Sequence, residues 1–452
     1  MKNTQLALGL ALTLTVSLGA RASTVAIIDS GTDMKHQDIA PKAWINELEI
    51  PDNNRDEDRN GYQDDIYGWN FAENNNQVID YSYLGTLTPD IERFFEYQTK
   101  ALMGQATEEE IAWMRAQVKD AEFIKRIGIY GNFMHGTHVA GIASKGAKDA
   151  KVMAVKLIPT EVKLPFAHLP SATGLDKGLG LTLLKKGLEV LAAQQAKVFE
   201  EIGAYIDGHQ ADVANGSFGT GYPQAQMICG TLFKTLLRRE PTEDELKDVT
   251  LHFMNASLKN ARVFVEVAPN TLFVFAAGND GSNNDEFPAS PTNIEAPNVI
   301  SVAATLGNGS LASFSNYGQS TVDVAAPGVG IRSSVPGDKY LQVSGTSQAA
   351  PFVANVAARL KDANPALTPV DIKAIIMKTV DKHDDLARKI RTSGLVNADR
   401  AVRAATMSVS MTLETAIAQA RTQVADQALE KTLAPVNVPA GIVLPLPSGY
   451  GL

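Results

Sequence analysis

Four short runs in this chain are apolar without alternation: Thr24–Asp29, Val152–Lys156, Leu272–Ala276 and Asn298–Ala303. A strand with one face in water alternates polar with apolar, so these runs suit strands covered on both faces. Between them lie stretches of helical spacing, such as Leu181, Leu184, Leu188, Leu191 and Ala192 within about 177–206. Strands alternating with helices predict an α/β fold of three layers: a doubly wound, mostly parallel sheet with helices on both faces. Open sheets of this kind carry their sites at the carboxyl ends of strands. Thr24–Asp29 ends in Asp29-Ser30-Gly31.

Residues 1–22 read as a removable export signal. Lys2 makes a basic start, Leu6 to Leu18 is apolar apart from Thr, Ser and Gly, and Ala20-Arg21-Ala22 has the form of a cleavage site. The apolar run is short for a membrane span, so no anchor is expected after its removal. The mature chain would start at Ser23 and be secreted, extracellular or periplasmic. Its first strand begins at Thr24, which leaves no room for an N-terminal pro-domain. The formal charge of −9 becomes −11 without Lys2 and Arg21 (−9 − 2), which argues against nucleic acid as a partner. The lone cysteine, Cys229, excludes an intrachain disulfide, so an exported chain needs another staple, and bound metal is one option. Cys229 shares a helical apolar pattern with Ile228, Leu232 and Leu236, and a buried, inert thiol is expected.

The acidic, turn-rich stretch 44–80 holds Asp56-Glu57-Asp58-Arg59-Asn60-Gly61-Tyr62-Gln63-Asp64-Asp65. Oxygen side chains at loop positions 1, 3, 5 and 9, with glycine at 6, match the front half of an EF-hand calcium loop. Tyr67 at position 12 excludes a complete EF-hand. A structural calcium ion on Asp56, Asp58, Asn60, Asp64 and Asp65 is expected, with Glu47 a further candidate; the alternative is a solvated acidic turn. Residues 88–128 show helical spacing (Ile111, Met114, Val118) and read as one or two amphipathic helices inserted in a loop. A third helical region, about 224–262, breaks at Pro241-Thr242, and Thr368-Pro369-Val370-Asp371 caps a helix through Ile372, Ile375 and Ile376. After about 407 an Ala-rich helix (Leu413, Ile417, Ala420, Val424, Ala428) precedes a tail, Ala434–Leu452, expected to be flexible or loosely docked. The chain thus divides into a signal (1–22), a main domain (23–405, with insertions at about 44–130 and 160–210) and a C-terminal helix and tail (406–452).

The stretch Val343-Ser344-Gly345-Thr346-Ser347-Gln348-Ala349-Ala350-Pro351 points to chemistry. The run that follows, Phe352 to Ala358, is apolar enough for a helix buried nearly all round. Proline is tolerated in a first helical turn, which puts Ser347 at the helix N-terminus among free N–H groups. There it is either a helix cap or an acyl-transfer nucleophile. A nucleophile needs a base and a carboxylate to orient that base. Among seven histidines, His135 in Met134-His135-Gly136-Thr137-His138-Val139-Ala140-Gly141 sits just before a small-residue helix, and Asp29 ends its strand. Ala276-Ala277-Gly278-Asn279 ends another strand in an amide, a possible oxyanion donor.

Taken together, Asp-Ser-Gly at 29–31, His-Gly-Thr-His-Val-Ala-Gly at 135–141, Ala-Ala-Gly-Asn at 276–279 and Gly-Thr-Ser-x-Ala-x-Pro at 345–351 resemble the signature motifs of the subtilisin-like serine proteases, in that family's order. Ala325-Ala326-Pro327-Gly328 and Gly394-Leu395-Val396-Asn397-Ala398 extend the resemblance over roughly 24–405. It implies an exported serine endopeptidase, expected to be monomeric and to act on protein or peptide substrates. Ser347 would be nucleophile, His135 general base and then acid, and Asp29 its orienter. Asn279 with the Ser347 N–H would form the oxyanion hole, and His138 would be structural. The resemblance also implies a cleft with Ser217, Phe218 and Gly219 on one wall and Ala276, Ala277 and Gly278 on the other. It supports calcium in the 56–65 loop as well. Loose alignment on Pro288 puts Glu286 at the floor of the primary pocket, which would favour Lys or Arg. Gln348, Phe352 and Asn355 depart from the commoner Met, His and Gly of the family. Two rivals remain: a catalytically silent scaffold, and an esterase, though the Gly-x-Ser-x-Gly elbow of the latter is missing around Ser347.

Overall fold

A computed structural model describes residues 21–162, 177–430 and 442–448. The export signal falls almost wholly on residues 1–20, and parts of the 160–210 insertion and of the tail on 163–176, 431–441 and 449–452; these lie outside the described residues.

The chain is built around β1 (Thr24–Asp29), buried along its whole length. Val25 and Ile27 enter one apolar cluster and Ala26 and Ile28 another, on the opposite face. With both faces dry, the strand has no reason to alternate. From β1 the chain runs through the acidic loop to the short strand β2 (Gly68–Asn70) and helices α1 (Pro89–Leu102), α2 (Glu108–Gln117) and α3 (Ala121–Ser144). It returns as β3 (Lys151–Lys156), beside β1, and α4 (Lys177–Gly208) then leads to β4 (Val213–Gly216) on the other side of β1. Helices α5 (Tyr222–Leu237), α6 (Glu243–Ala261) and α7 (Val263–Glu266) precede β5 (Leu272–Ala276), β6 (Val299–Thr305) and β7 (Val324–Pro327). A hairpin, β8 (Ile331–Val335) with β9 (Lys339–Val343), feeds α8 (Thr346–Ala363). The last elements are α9 (Pro369–Lys378), β10 (Asp381–Lys382), β11 (Gly394–Leu395), α10 (Ala398–Met407) and α11 (Leu413–Gln423).

The main sheet has the order β10-β11-β7-β6-β5-β4-β1-β3-β2, and every pair is parallel except β10 with β11. Connections leave β1 toward β3 and β2 on one side and toward β4 and β5 on the other. The carboxyl end of β1 is therefore the switch point where open sheets form a crevice. Helices α3 and α8 pack on the face of Val25 and Ile27, while α4 and α7 pack on the face of Ala26 and Ile28. The first half of α4 forms a separate apolar cluster with α5 and α6, where Cys229 is fully buried and burial pushes its thiol up to about 12. That leaves Cys229 unreactive at neutral pH.

Three expectations change. His135 does not precede a helix: α3 starts at Ala121 and carries the whole motif in its interior. Gly136 and Gly141, read from the sequence as close-packing positions, are such: a Cβ at Gly136 would collide with the Gly31 carbonyl, and one at Gly141 with the Ser333 hydroxyl. Close packing there outweighs the roughly 1 kcal/mol that each glycine costs a helix. Pro351 does not lie in the first turn but sits inside α8, well past its N-cap Gly345. Finally, residues 442–448 of the tail are docked, with Ile442, Val443 and Leu446 buried. Among the described residues no helix is long and apolar enough to cross a membrane.

Candidate active site

The carboxyl ends of β1, β4 and β5 meet the N-terminus of α8 and the middle of α3. Asp29 is fully buried, and its Oδ1 accepts from His135 Nδ1 at 2.7 Å and from the Ser30 N–H at 2.8 Å. The Ser30 hydroxyl turns to both Asp29 Oδ1 and the Asn132 carbonyl of α3, which ties the end of β1 to the histidine helix. With Nδ1 held by the carboxylate, the other nitrogen of His135 is left for the cavity that His135 shares with Ser347 and Asn279. A carboxylate in this position fixes the ring orientation and favours the imidazolium once it forms.

Ser347 is the second residue of α8 and is buried. Its hydroxyl donates to the Ser217 carbonyl at 3.3 Å, and no hydrogen bond joins it to His135 in this arrangement. The Ser347 carbonyl is used as well. Pro351, four residues on, has no N–H to give it, so it accepts instead from the Ser217 hydroxyl at 3.1 Å. Asn215 Nδ2 supports that hydroxyl at 2.9 Å. A proline inside the helix thus frees a carbonyl that ties the serine turn to the segment after β4.

Asn279 is held by its neighbour in space. Its Oδ1 accepts from the Thr346 N–H at 2.9 Å and the Thr346 hydroxyl at 2.8 Å, and Thr346 Oγ1 accepts in turn from the Gly278 N–H at 3.1 Å. With the oxygen occupied, the NH₂ group must face the cleft, where it donates to the Leu444 carbonyl at 2.9 Å. An amide locked this way presents a fixed N–H donor to the cleft. His138 is a different kind of residue. It is completely buried, bonds the Leu341 carbonyl at 3.1 Å through Nε2, and receives Gln348 Nε2 at Nδ1 at 3.4 Å. Burial pushes it down to about 4, so it stays neutral and joins α3 to the β9–α8 segment.

Beside this cavity lies a pocket lined by Phe218, Gly219, Ala276, Gly278 and Asp280, among others, with Leu446 of the tail on its wall. Ser217 belongs to the Ser347 contact rather than to the pocket, and Ala277 points away into a cluster with Ala303 and Ala325. Glu286 is exposed and does not line the pocket. The carboxyl group there is that of Asp280, which burial pushes up despite a hydrogen bond from Asn316. Pro288 was too loose an anchor for aligning a shortened loop, whereas Asp280 follows Asn279 directly and was open to notice.

In the acidic loop, Asp58 and Asp65 come together with Glu49, one ligand oxygen from each lying within 4.8 Å of the others. Glu47 is exposed. Asp56 accepts from the Asn60 and Gly61 N–H groups at 3.1 and 2.9 Å, and Asp64 from the Asn53 and Asn54 N–H groups at 3.2 and 2.8 Å. Those two side chains close the turns instead of joining the cluster. Asn60 Nδ2 lies between Asp58 and Asp65, at 3.2 and 3.1 Å. Burial pushes the Asp65 carboxyl up, but hydrogen bonds from His209, Asn46, Tyr205 and Asn60 outweigh it and hold it below its usual range.

Comparison with known proteins gives a consistent picture. A sequence model described as the subtilase family matches residues 20–398. Alkaline elastase YaB of Bacillus sp. is 41% identical over 136 residues, which are 30% of this chain and 34% of that protein. Subtilisin BL of Lederbergia lenta is 39% identical over 132 residues, 29% of this chain and 46% of that protein. The chain therefore spans less than half the length of these curated relatives. A crystal structure of a cold adapted subtilisin-like serine proteinase, 19% identical, aligns with a TM-score of 0.42 over 84% of this chain and 88% of that one.

Proposed function

The chain belongs to the subtilase family, and from that premise we propose that it is a serine endopeptidase working through an acyl-enzyme on Ser347. The observation that supports this most is the buried Asp29–His135 contact at 2.7 Å, opening onto the cavity that Ser347 and Asn279 share. In the proposed sequence the Ser347 hydroxyl swings from the Ser217 carbonyl to His135. His135 takes the proton as Oγ bonds to the substrate carbonyl carbon, and the oxyanion is met by Asn279 Nδ2 and the Ser347 N–H. His135 then gives that proton to the leaving amine as the C–N bond breaks. Water, deprotonated by His135, releases the acyl group and restores the serine. Asp29 stays ionised and steadies the imidazolium throughout.

A fluorophosphonate probe tests the reading. Wild type should be labelled at Ser347, and Ser347→Ala should neither label nor cut reporter peptides. A wild-type chain that resists labelling after removal of the tail would be the silent scaffold instead. Substrates are proposed to be proteins or peptides read mainly through their backbone along Ser217–Gly219. Export by residues 1–22 is proposed too, and predicts an N-terminus at Ser23 in the product recovered outside the cytoplasm.

Calcium is proposed at Glu49, Asp58 and Asp65. Three carboxylates converging on one point are hard oxygen donors suited to that ion. Asn60 could contribute its amide oxygen if its side chain were flipped. The bound ion would neutralise the cluster and pin the loop to α4, where Tyr205 holds Asp65 at 2.8 Å. Chelator should lower the thermal midpoint of wild type by several degrees and leave Asp58→Asn unmoved. An unchanged wild-type midpoint would remove the metal from the reading.

A further inference from the structure

The cleft is filled by the protein itself. Residues 442–448 lie across it, with Ile442, Val443, Leu446, Pro447 and Ser448 buried. Four backbone carbonyl or N–H contacts hold them. Gln98 of α1 donates to the Ile442 carbonyl, Asn279 to the Leu444 carbonyl at 2.9 Å, and Gln224 of α5 to the Leu446 carbonyl at 3.4 Å. The Gly219 N–H donates to the Pro447 carbonyl at 3.0 Å. Leu444, Pro445 and Pro447 line the cavity of His135 and Ser347, and Leu446 lines the adjoining pocket. Of the groups proposed to meet a substrate backbone, the Asn279 amide and the Gly219 N–H both meet the tail.

The register is not that of a substrate. In acyl transfer the residue whose side chain fills the pocket also places its own carbonyl at the oxyanion donor, and the chain then continues as the leaving group. Here the tail residue at the pocket is Leu446, with the Pro447 carbonyl on the Gly219 N–H, but the carbonyl at Asn279 belongs to Leu444. Passing from the pocket to Asn279, the tail runs toward lower residue numbers, whereas a substrate runs toward higher ones. Its polarity is reversed. The bond whose carbonyl is presented to Asn279, Leu444–Pro445, also has a tertiary nitrogen, so its departure would need a different alignment of His135. Prolines at 445 and 447 further lack the N–H groups that an added strand would use.

We propose that residues Ile442–Ser448 are a built-in inhibitor, bound in reverse so that the enzyme is blocked by its own chain without cutting it. The ligand class that the cleft takes in this mode is a short aliphatic peptide with alternating prolines. The inference rests on the endopeptidase reading and goes beyond it, because the tail is assigned a site and a polarity. Removing or displacing this segment would be the activating step.

The test compares wild type with Leu446→Asp, both as full chains, using a reporter peptide and the fluorophosphonate probe. A charged side chain in the pocket should release the tail and raise kcat/KM at least tenfold, with a matching rise in labelling rate. A chain ending at Glu430 should behave like Leu446→Asp and guards against a local effect of the aspartate. The synthetic octapeptide Gly-Ile-Val-Leu-Pro-Leu-Pro-Ser, added to Leu446→Asp, should inhibit competitively and remain intact by mass analysis after prolonged incubation. Equal activity and labelling in wild type and both variants would overturn the inhibitor and leave the endopeptidase standing. Inhibition accompanied by cleavage of the octapeptide would overturn the reversed polarity. Complete inertness of all three chains to probe and peptide would overturn both readings.

Discussion

Thr346 decides which end of the Asn279 amide faces the cleft. Its N–H and hydroxyl both bond Oδ1, so turning the amide over would bring an NH₂ group against two donors. Thr346→Val keeps the shape and the N–H contact and loses the hydroxyl. Once the tail has been released by Leu446→Asp, this change should lower kcat about 3- to 10-fold with KM little altered, since an oxyanion donor acts in the transition state. Asn279→Ala should lower kcat by on the order of 10²–10³, a magnitude taken from another member of this family. Steady-state kinetics on the doubly substituted chains would check both, and a loss confined to KM would reject the positioning role. His138 supports a prediction about pH. Its folded value of about 4 lies below the 6.5 of a free imidazole because burial penalises the charge. Above pH 6.5 both states are neutral and nothing is gained or lost. Between 6.5 and 4 the unfolded chain takes up a proton that the folded one refuses, so stability falls with pH by up to about 3 kcal/mol. Urea midpoints between pH 7 and 4 should show that slope in wild type and a shallower one in His138→Gln.

At the scale of elements, the strands were the most legible part of the sequence. Thr24–Asp29 was bounded as the structure has it, because a strand buried on both faces leaves an uninterrupted apolar signature. The helix carrying His135 was not, because its start at Ala121 is coded by an Asp120 cap far upstream, although its glycines were legible as close-packing positions. The positions of Asp29, His135, Asn279 and Ser347 in the chain could be read from motifs. Thr346 and Gln348 lay within the same motif with no sign of their hydrogen-bonding roles, and Glu49 lay outside the loop pattern altogether. Pro351 was misplaced for a reason with its own consequence. Inside α8 it leaves the Ser347 carbonyl to the Ser217 hydroxyl. Ser217→Ala should therefore cost about 1–3 kcal/mol through a buried acceptor left unpaired. In a Pro351→Ala background the restored helical N–H can satisfy the carbonyl, and the same change should cost less. A double-mutant cycle by denaturant unfolding would read the difference as a coupling of about 1 kcal/mol. Additive losses would mean that the two groups do not share that carbonyl.

Over the whole molecule, the question is how a segment at the end of the chain comes to lie in a cleft at the centre of the sheet. Its starting point is fixed. Arg400, buried on α10, pairs with Asp381 of β10 at 2.6 Å and holds the Val424 carbonyl at 2.9 Å just beyond α11. The Gln427 N–H bonds Asp381 at 3.0 Å and its side chain bonds the Val396 carbonyl at 2.9 Å, so residues 424–427 are clamped to the far edge of the sheet. Breaking the clamp at its buried member should be severe: Arg400→Met leaves Asp381 charged without its cation, held by the amides of Asn397 and Gln427, at a cost of about 3 kcal/mol in unfolding free energy. Asp426, largely exposed, makes the other contact of Arg400, and Asp426→Asn should change stability by less than about 1 kcal/mol. A tail that starts from a fixed point on the same molecule competes at an effective concentration set by its tether and not by the amount of protein present. If it instead crossed into a second copy, its hold would weaken as copies became scarce. Dilution separates the two. Specific activity of the full chain, followed from about 10 μM down to about 10 nM, should stay low and constant if the inhibitor is tethered. A rise on dilution would show that the segment in each cleft comes from another molecule.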